Sequence, residues 1–252
     1  MSVGDWQPGW IGGAARPLYA ALHAAPGAEV GVLMLPPLLH EQPRSRRVLV
    51  EVASRLAEAG LPCLRFDYYG TGDSGGAGDE HDFASIHADL DVALAALQAQ
   101  AAVARVVVLA WRASILPACA WADAHPEVAA LAGWEPVVDG AAWVAGLEAA
   151  DRDERRERYT AGEAQQVDAY LMGFPTSPRW RTDFSAARLQ APKRAPLWVL
   201  ARAEGGADAQ RHFALPADAP RFDDGIGIEN AMFLSRKLFG VVDDFAHAAR
   251  AA

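Results

Sequence analysis

Cysteine is scarce in this chain: 252 residues hold two, Cys63 and Cys119. Neither has a metal-ligand spacing or a catalytic context, and both fall in apolar runs, so they read as buried structural thiols in a reduced protein. Basic residues are also in the minority. The 23 Lys and Arg stand against 32 Asp and Glu, for a net charge of −9, which argues against a nucleic-acid partner, because neutralising phosphates requires a basic patch. The densest basic run, Arg152 to Arg158, is interleaved with Asp151, Asp153, Glu154 and Glu157 and reads as a solvated, salt-bridged helix face. No uninterrupted apolar stretch reaches the ~18 residues of a membrane span. The opening MSVGDWQPGW lacks a basic start followed by an apolar run, so no signal peptide is read and a cytoplasmic location is expected. HExxH, GxxxxGK and a strand-following GxGxxG are missing, and no metal or cofactor is expected.

What is present is an ordinary globular composition, 52% hydrophobic and 22% charged, in a length near the upper end for one domain. Short apolar runs bounded by turn residues predict strands at Pro17–His23, Val30–Leu35, Cys63–Phe66, Val106–Ala110, Ala129–Trp134 and Leu197–Ala201. Helical patterns lie between them. Ser45–Ala59 aligns Val48, Val52, Leu56 and Ala59 before Gly60, and Phe83–Gln98 aligns Ile86, Leu90, Leu94 and Leu97. A last helix is expected over Ala231–Ala248. Alternating strands and helices predict an α/β fold: a mostly parallel sheet covered on both faces, with residues 1–252 forming a single domain. Residues 140–192 interrupt the alternation with a charged helix, a Gly173–Pro178 punctuation and a Trp-containing continuation. This segment reads either as a cap insertion over a site or as a plain extra helical hairpin.

The most informative stretch is Leu64-Arg65-Phe66-Asp67-Tyr68-Tyr69-Gly70-Thr71-Gly72-Asp73-Ser74. A buried strand ends in Asp and enters a Gly-rich turn whose glycines permit positive φ, with Asp73 placed to accept from the turn's amides. The stretch resembles the FDYRGxGxS signature of α/β-hydrolases. Over almost the whole chain the sequence is similar to serine-aminopeptidase-like members of that superfamily, including those that accompany exosortase systems. Val32–Glu41 resembles their strand and oxyanion loop, and Ser45–Gly60 the helix after it. Trp134–Gly140 resembles the strand after the nucleophile elbow, and Gly173-Phe174-Pro175 part of the capping stretch.

The resemblance implies an α/β-hydrolase fold, and implies hydrolysis only if a Ser, an acid and a His survive. A nucleophile elbow is a strand, Gly-x-Ser-x-Gly, then a helix. Here the strand is Val106–Leu109, and the helix ends at His125-Pro126. Relatives keep a proline at a fixed distance beyond the nucleophile, and that distance counted back from Pro126 lands on Arg112. The motif is therefore Ala110-Trp111-Arg112-Ala113-Ser114. A guanidinium has no nucleophilic lone pair and stays protonated, so Arg112 cannot form an acyl-enzyme. Ser114 is the alternative nucleophile, although a local helix-start role suits it better. Glu204 or Asp208 occupies the place of the acid. The segment before the last helix, Phe222–Asn230, contains no His, while His40, His212 (in an expected helix) and His247 lie elsewhere.

A degenerate triad leaves the pocket, where backbone amides and a helix N-terminus favour an anion. The resulting expectation is a non-catalytic protein of this fold that binds a small anionic ligand or a protein partner. The alternative is an esterase or acyl-transfer enzyme with a displaced nucleophile such as Ser114. Arg112 is expected to meet either an anionic ligand or an internal carboxylate, with Glu41 first, then Glu135 and Glu204. Leu38, from the loop after the Val30–Leu35 strand, and Trp111, from the elbow motif, complete the candidate binding set.

Overall fold

Val30, Val32 and Met34 alternate with Gly31, Leu33 and Leu35, and all six are buried. A strand with no wet face must be covered on both sides, as in parallel sheets roofed by helices. The computed structural model describes residues 6–158, 169–202, 208–219, 221–222 and 235–252. In chain order the main elements are β1 (Trp6–Ile11), β2 (Leu18–His23), β3 (Val30–Leu35), α1 (Glu41–Glu58), β4 (Cys63–Phe66), α2 (Phe83–Ala101) and β5 (Arg105–Trp111). These are followed by α3 (Ile115–Ala124), β6 (Val128–Trp134), α4 (Gly140–Arg158), β7 (Tyr170–Leu171), β8 (Phe174–Pro175) and α5 (Pro178–Ala186). Then come β9 (Leu197–Ala201), β10 (Arg211–Ala214) and α6 (Arg236–Ala251).

Eight strands form one sheet in the order β1-β2-β4-β3-β5-β6-β9-β10. The pairs from β4 to β10 are parallel, and β1–β2 and β2–β4 are antiparallel. Strand alternation splits the core in two. Leu33, Leu35, Val106 and Val108 face α2 and α3, whereas Val32, Met34, Val107 and Leu109 face α1 and α6. The order reverses at β3, which lies between β4 and β5, so the carboxyl ends of β3 and β5 flank the crevice where such sheets place their sites.

Two strands of the large sheet went unread in the sequence, and both are its edges; the short pair β7–β8 within the 140–192 segment went unread as well. β1 carries Pro8 and Gly9, and four of its six residues are exposed; in β10 only Phe213 is buried. His212, expected in a helix, therefore belongs to β10. α1 starts at Glu41 rather than Ser45, because Pro43 fits a first turn whose N–H groups have no helical partner. The start expected for the last helix, Ala231, lies outside the described residues; α6 begins after Ser235, whose side chain accepts from the Leu238 amide.

In the 140–192 segment, α4 and α5 pack through Trp143, Trp180 and Phe184. Phe184 meets Phe83 of α2 edge-on at 4.7 Å. At Gly140 a Cβ would lie 1.9 Å from the Phe184 carbonyl oxygen, so the start of α4 requires glycine. The charged run of α4 forms same-helix pairs, Arg155–Asp151 at 2.8 Å and Arg156–Asp153 at 3.4 Å.

Candidate functional site

At the end of β5 the backbone turns at Arg112 with φ +55°, passes through a 3₁₀ turn over Arg112–Ser114 and enters α3. A left-handed backbone costs a residue with a Cβ about 1–2 kcal/mol. Leu39 (φ +53°), beyond β3, and Glu135 (φ +43°), beyond β6, are held the same way. Three such residues beyond adjacent strands mark the crevice as a place where packing overrides local preference.

The Arg112 guanidinium is bound on two sides. Nε donates to Glu41 Oε1 at 3.1 Å, and one terminal nitrogen donates to the Glu135 carbonyl oxygen at 2.9 Å. Phe222 lies beneath, its ring centroid 5.5 Å from the guanidinium carbon. Glu41 is 2% exposed. Burial pushes its carboxyl above the ordinary range, and Arg112, then Arg44, pull it back. Glu41 reaches Arg112 because α1 opens beyond β3 and β3 pairs with β5. Glu135 offers Arg112 its carbonyl while its carboxylate pairs with Arg202. Glu41 Oε2, Trp111 Nε1 and His40 Nδ1 are buried without a hydrogen-bond partner among the described residues.

Ser114 is fully buried, and its hydroxyl donates to the Pro36 carbonyl at 2.5 Å. It makes no capping bond to α3, so a long-range anchor replaces the local role read from sequence. The Tyr68 ring is buried beside it, and burial raises that phenol's pKa. None of the histidines named from sequence hydrogen-bonds Ser114. His212 lies on β10, three strands from β5, and His247 is exposed on α6. His40 precedes α1; burial, then Arg44 and Arg112, push it down to about 4, leaving a neutral ring. Asp208 is exposed between β9 and β10, and Glu204 lies outside the described residues, as does most of the expected His-free segment (223–230). Leu38 is buried, and Trp111 stacks on Trp134 at 4.2 Å. Sequence reasoning missed the Pro36 and Glu135 carbonyls, Arg202 and Phe222, since backbone acceptors and cross-strand neighbours leave no residue-type signal.

The turn beyond β4 is held by hydrogen bonds throughout. Asp67 accepts from Gln42 Nε2 at 2.9 Å, from Arg46 at 3.0 Å and from the Asp73 amide at 2.9 Å. Asp67, not Asp73 as read from sequence, is thus the acceptor for the turn's amide; Asp73 pairs with Arg46. Ser74 ties the turn to the sheet, donating to the Asp67 carbonyl and accepting from the Tyr19 amide. A Cβ on Gly72 (φ +54°) would fall 2.2 Å from Asp67 Oδ2, which explains the glycine.

The overall fold resembles known structures. Est1E from Butyrivibrio proteoclasticus, solved with ferulic acid bound, superposes with a TM-score of 0.62 at 14% identity, over 97% of this chain and 100% of that one. DcsB, solved with a substrate analogue, gives 0.62 at 12% identity over 98% and 99%. The α/β hydrolase domain-containing protein 10 from mouse gives 0.55 at 15% identity over 83% and 88%. The chain has the α/β-hydrolase fold. At these identities the likeness speaks for the fold alone. No family model matches the sequence, and no curated protein does. Arg112 lies at the turn between β5 and α3. Among the described residues, no three His, Cys, Asp or Glu side chains gather as metal ligands, and no helix is long and apolar enough to cross a membrane.

Proposed function

We propose that this α/β-hydrolase-fold protein is non-catalytic and acts by binding a small anionic ligand or a protein partner. One observation carries the reading: a guanidinium held by the Glu41 carboxylate and the Glu135 carbonyl occupies the elbow. It is not a nucleophile and, being paired internally, it fills the crevice rather than activating water. The nearby hydroxyl, Ser114, is buried and donates its hydrogen bond to Pro36, with no histidine hydrogen-bonded to it. The 140–192 segment is read as a cap because α4 and α5 form one aromatic-packed unit on the α2 side of the sheet. Two free, buried cysteines accord with a reducing, cytoplasmic setting.

The test is chemical. Incubation with a fluorophosphonate probe should give no covalent adduct, and p-nitrophenyl acyl esters should turn over at the background rate, unchanged by Ser114→Ala. Stoichiometric labelling at Ser114, abolished in that variant, would establish the displaced-nucleophile enzyme instead.

A further inference from the structure

The antiparallel edge of the sheet presents a second arrangement of aromatic and cationic side chains. Strand register places Trp6, His23 and Cys63 in one row across β1, β2 and β4, then Pro8, Ala21 and Arg65, then Trp10, Tyr19 and Asp67. By strand alternation these residues share the α1 side of the sheet, with Ile11 on the other face. Toward the rim α1 leaves this face open: Trp10 is 62% exposed and meets Tyr19 edge-on at 5.9 Å. Further in, a narrow cleft opens from this face between β4 and α1, with Tyr19, Arg65, Arg46 and Leu49 in its walls.

Arg65 gives this cleft its chemistry. Its Nε donates to His23 Nε2 at 3.1 Å, and its guanidinium carbon lies 5.1 Å from the Trp6 ring centroid. His23 is 2% exposed and neutral, its pKa pushed down to about 4 by burial and then by Arg65. It hydrogen-bonds the arginine without offsetting its charge. Among the described residues no carboxylate makes an ion pair with Arg65; burial lowers its pKa, and the more distant Asp67 opposes that only in part. A half-buried guanidinium whose terminal nitrogens have no carboxylate is set up to receive one.

We propose that this open face binds a small aromatic carboxylate, its acid group on Arg65 at the cleft and its ring against Tyr19 and Trp10 at the rim. The charge distribution selects a monoanion. Asp67, next to Arg65 in the wall, is matched by Arg46 but repels a doubly charged phosphate more than a carboxylate. The site is independent of the elbow reading, because none of its charge comes from Arg112.

Titration calorimetry and saturation-transfer NMR with 2-naphthoate test it, with 2-naphthamide and inorganic phosphate as comparators. Saturable binding of 2-naphthoate is expected, at least tenfold tighter than either comparator, weakened tenfold or more in Arg65→Met and several-fold in Trp10→Ala. Trp10 is exposed, so its variant will fold and keeps the test decisive if Arg65→Met does not. Absence of saturable binding, equal affinity for the amide, or affinity unchanged in Trp10→Ala and Arg65→Met overturns the proposal. So does binding lost in Arg112→Ser but kept in Arg65→Met, which would place the acid at the elbow.

Discussion

Arg112 and Arg65 are both partly buried arginines near the carboxyl end of a buried strand, yet their surroundings treat the charge in opposite ways. Arg112 meets a buried carboxylate and a carbonyl, and lies over Phe222. Arg65 meets a neutral imidazole and Trp6. A guanidinium whose counter-charge lies inside the fold has little attraction left for a ligand. One whose counter-charge is missing costs desolvation energy and keeps its attraction. The same residue type therefore closes one crevice and leaves the other receptive.

The largest effect that would break this contrast is expected from Glu41→Leu. Stranding Arg112, whose side chain is 20% exposed, should destabilise the fold by about 2–4 kcal/mol in urea melts, the lower end reflecting partial exposure. A loss near zero would mean that the pair is not what holds Arg112. Arg112→Ser strands a carboxylate instead and should cost on the order of 1–3 kcal/mol without creating ester turnover. That variant also carries a pH signature. Glu41's folded pKa is raised by burial, so its contribution to stability is complete below the ordinary carboxylate range and is lost as pH climbs through the raised value. Removing Arg112 removes the downward pull, so the decline with rising pH should be steeper than in wild type.

Arg65→Met should cost less, about 1 kcal/mol, since it strands only a neutral acceptor on His23. The histidines beside the two arginines sharpen the comparison through their titrations. His23 and His40 are each pushed down to about 4, first by burial. Both remain uncharged while the unfolded chain protonates near 6.5, so each costs stability as pH falls from there toward 4. Ring-proton NMR should show His23 rising only in Arg65→Met, and His40 rising only in Arg112→Ser. Both should stay below 6.5, because burial persists. The smallest effect separates backbone from charge: Arg112→Gly should be about 1 kcal/mol more stable than Arg112→Ala, because glycine accepts φ +55° without strain.

How much of this was legible depended on whether the signal was local. Val30–Leu35 and Leu197–Ala201 were readable to the residue because each is a continuous apolar run demanded by burial on both faces, and Cys63–Phe66 because the turn signature follows it directly. β1 and β10 were not, because an edge strand with a wet face needs no such run. Arg112 at the β5–α3 turn followed from counting back from Pro126, and Glu41 from its place at the end of the loop beyond β3, which the resemblance sets against that turn. The hold of the Glu135 carbonyl on Arg112 was invisible, since it depends on a left-handed backbone at Glu135 that no residue type requires. The Arg65 cleft was hidden for a different reason. Its rows join residues from three strands, two of them antiparallel, and only the register of Ala21 against both Pro8 and Arg65 brings them together.

The stacked pair beneath the elbow gives the crevice an optical reporter. Trp111 and Trp134 are direct register partners in β5 and β6, their rings 4.2 Å apart and within 11° of parallel. Each immediately precedes a left-handed residue, Arg112 or Glu135. Indole transitions this close share their excitation, so the pair should produce a near-ultraviolet circular dichroism band that disappears in Trp111→Phe. Loosening of either strained turn would slide one ring over the other and change that band while backbone ellipticity holds. Opening of the crevice thus becomes a spectral event that can be timed separately from unfolding of the sheet.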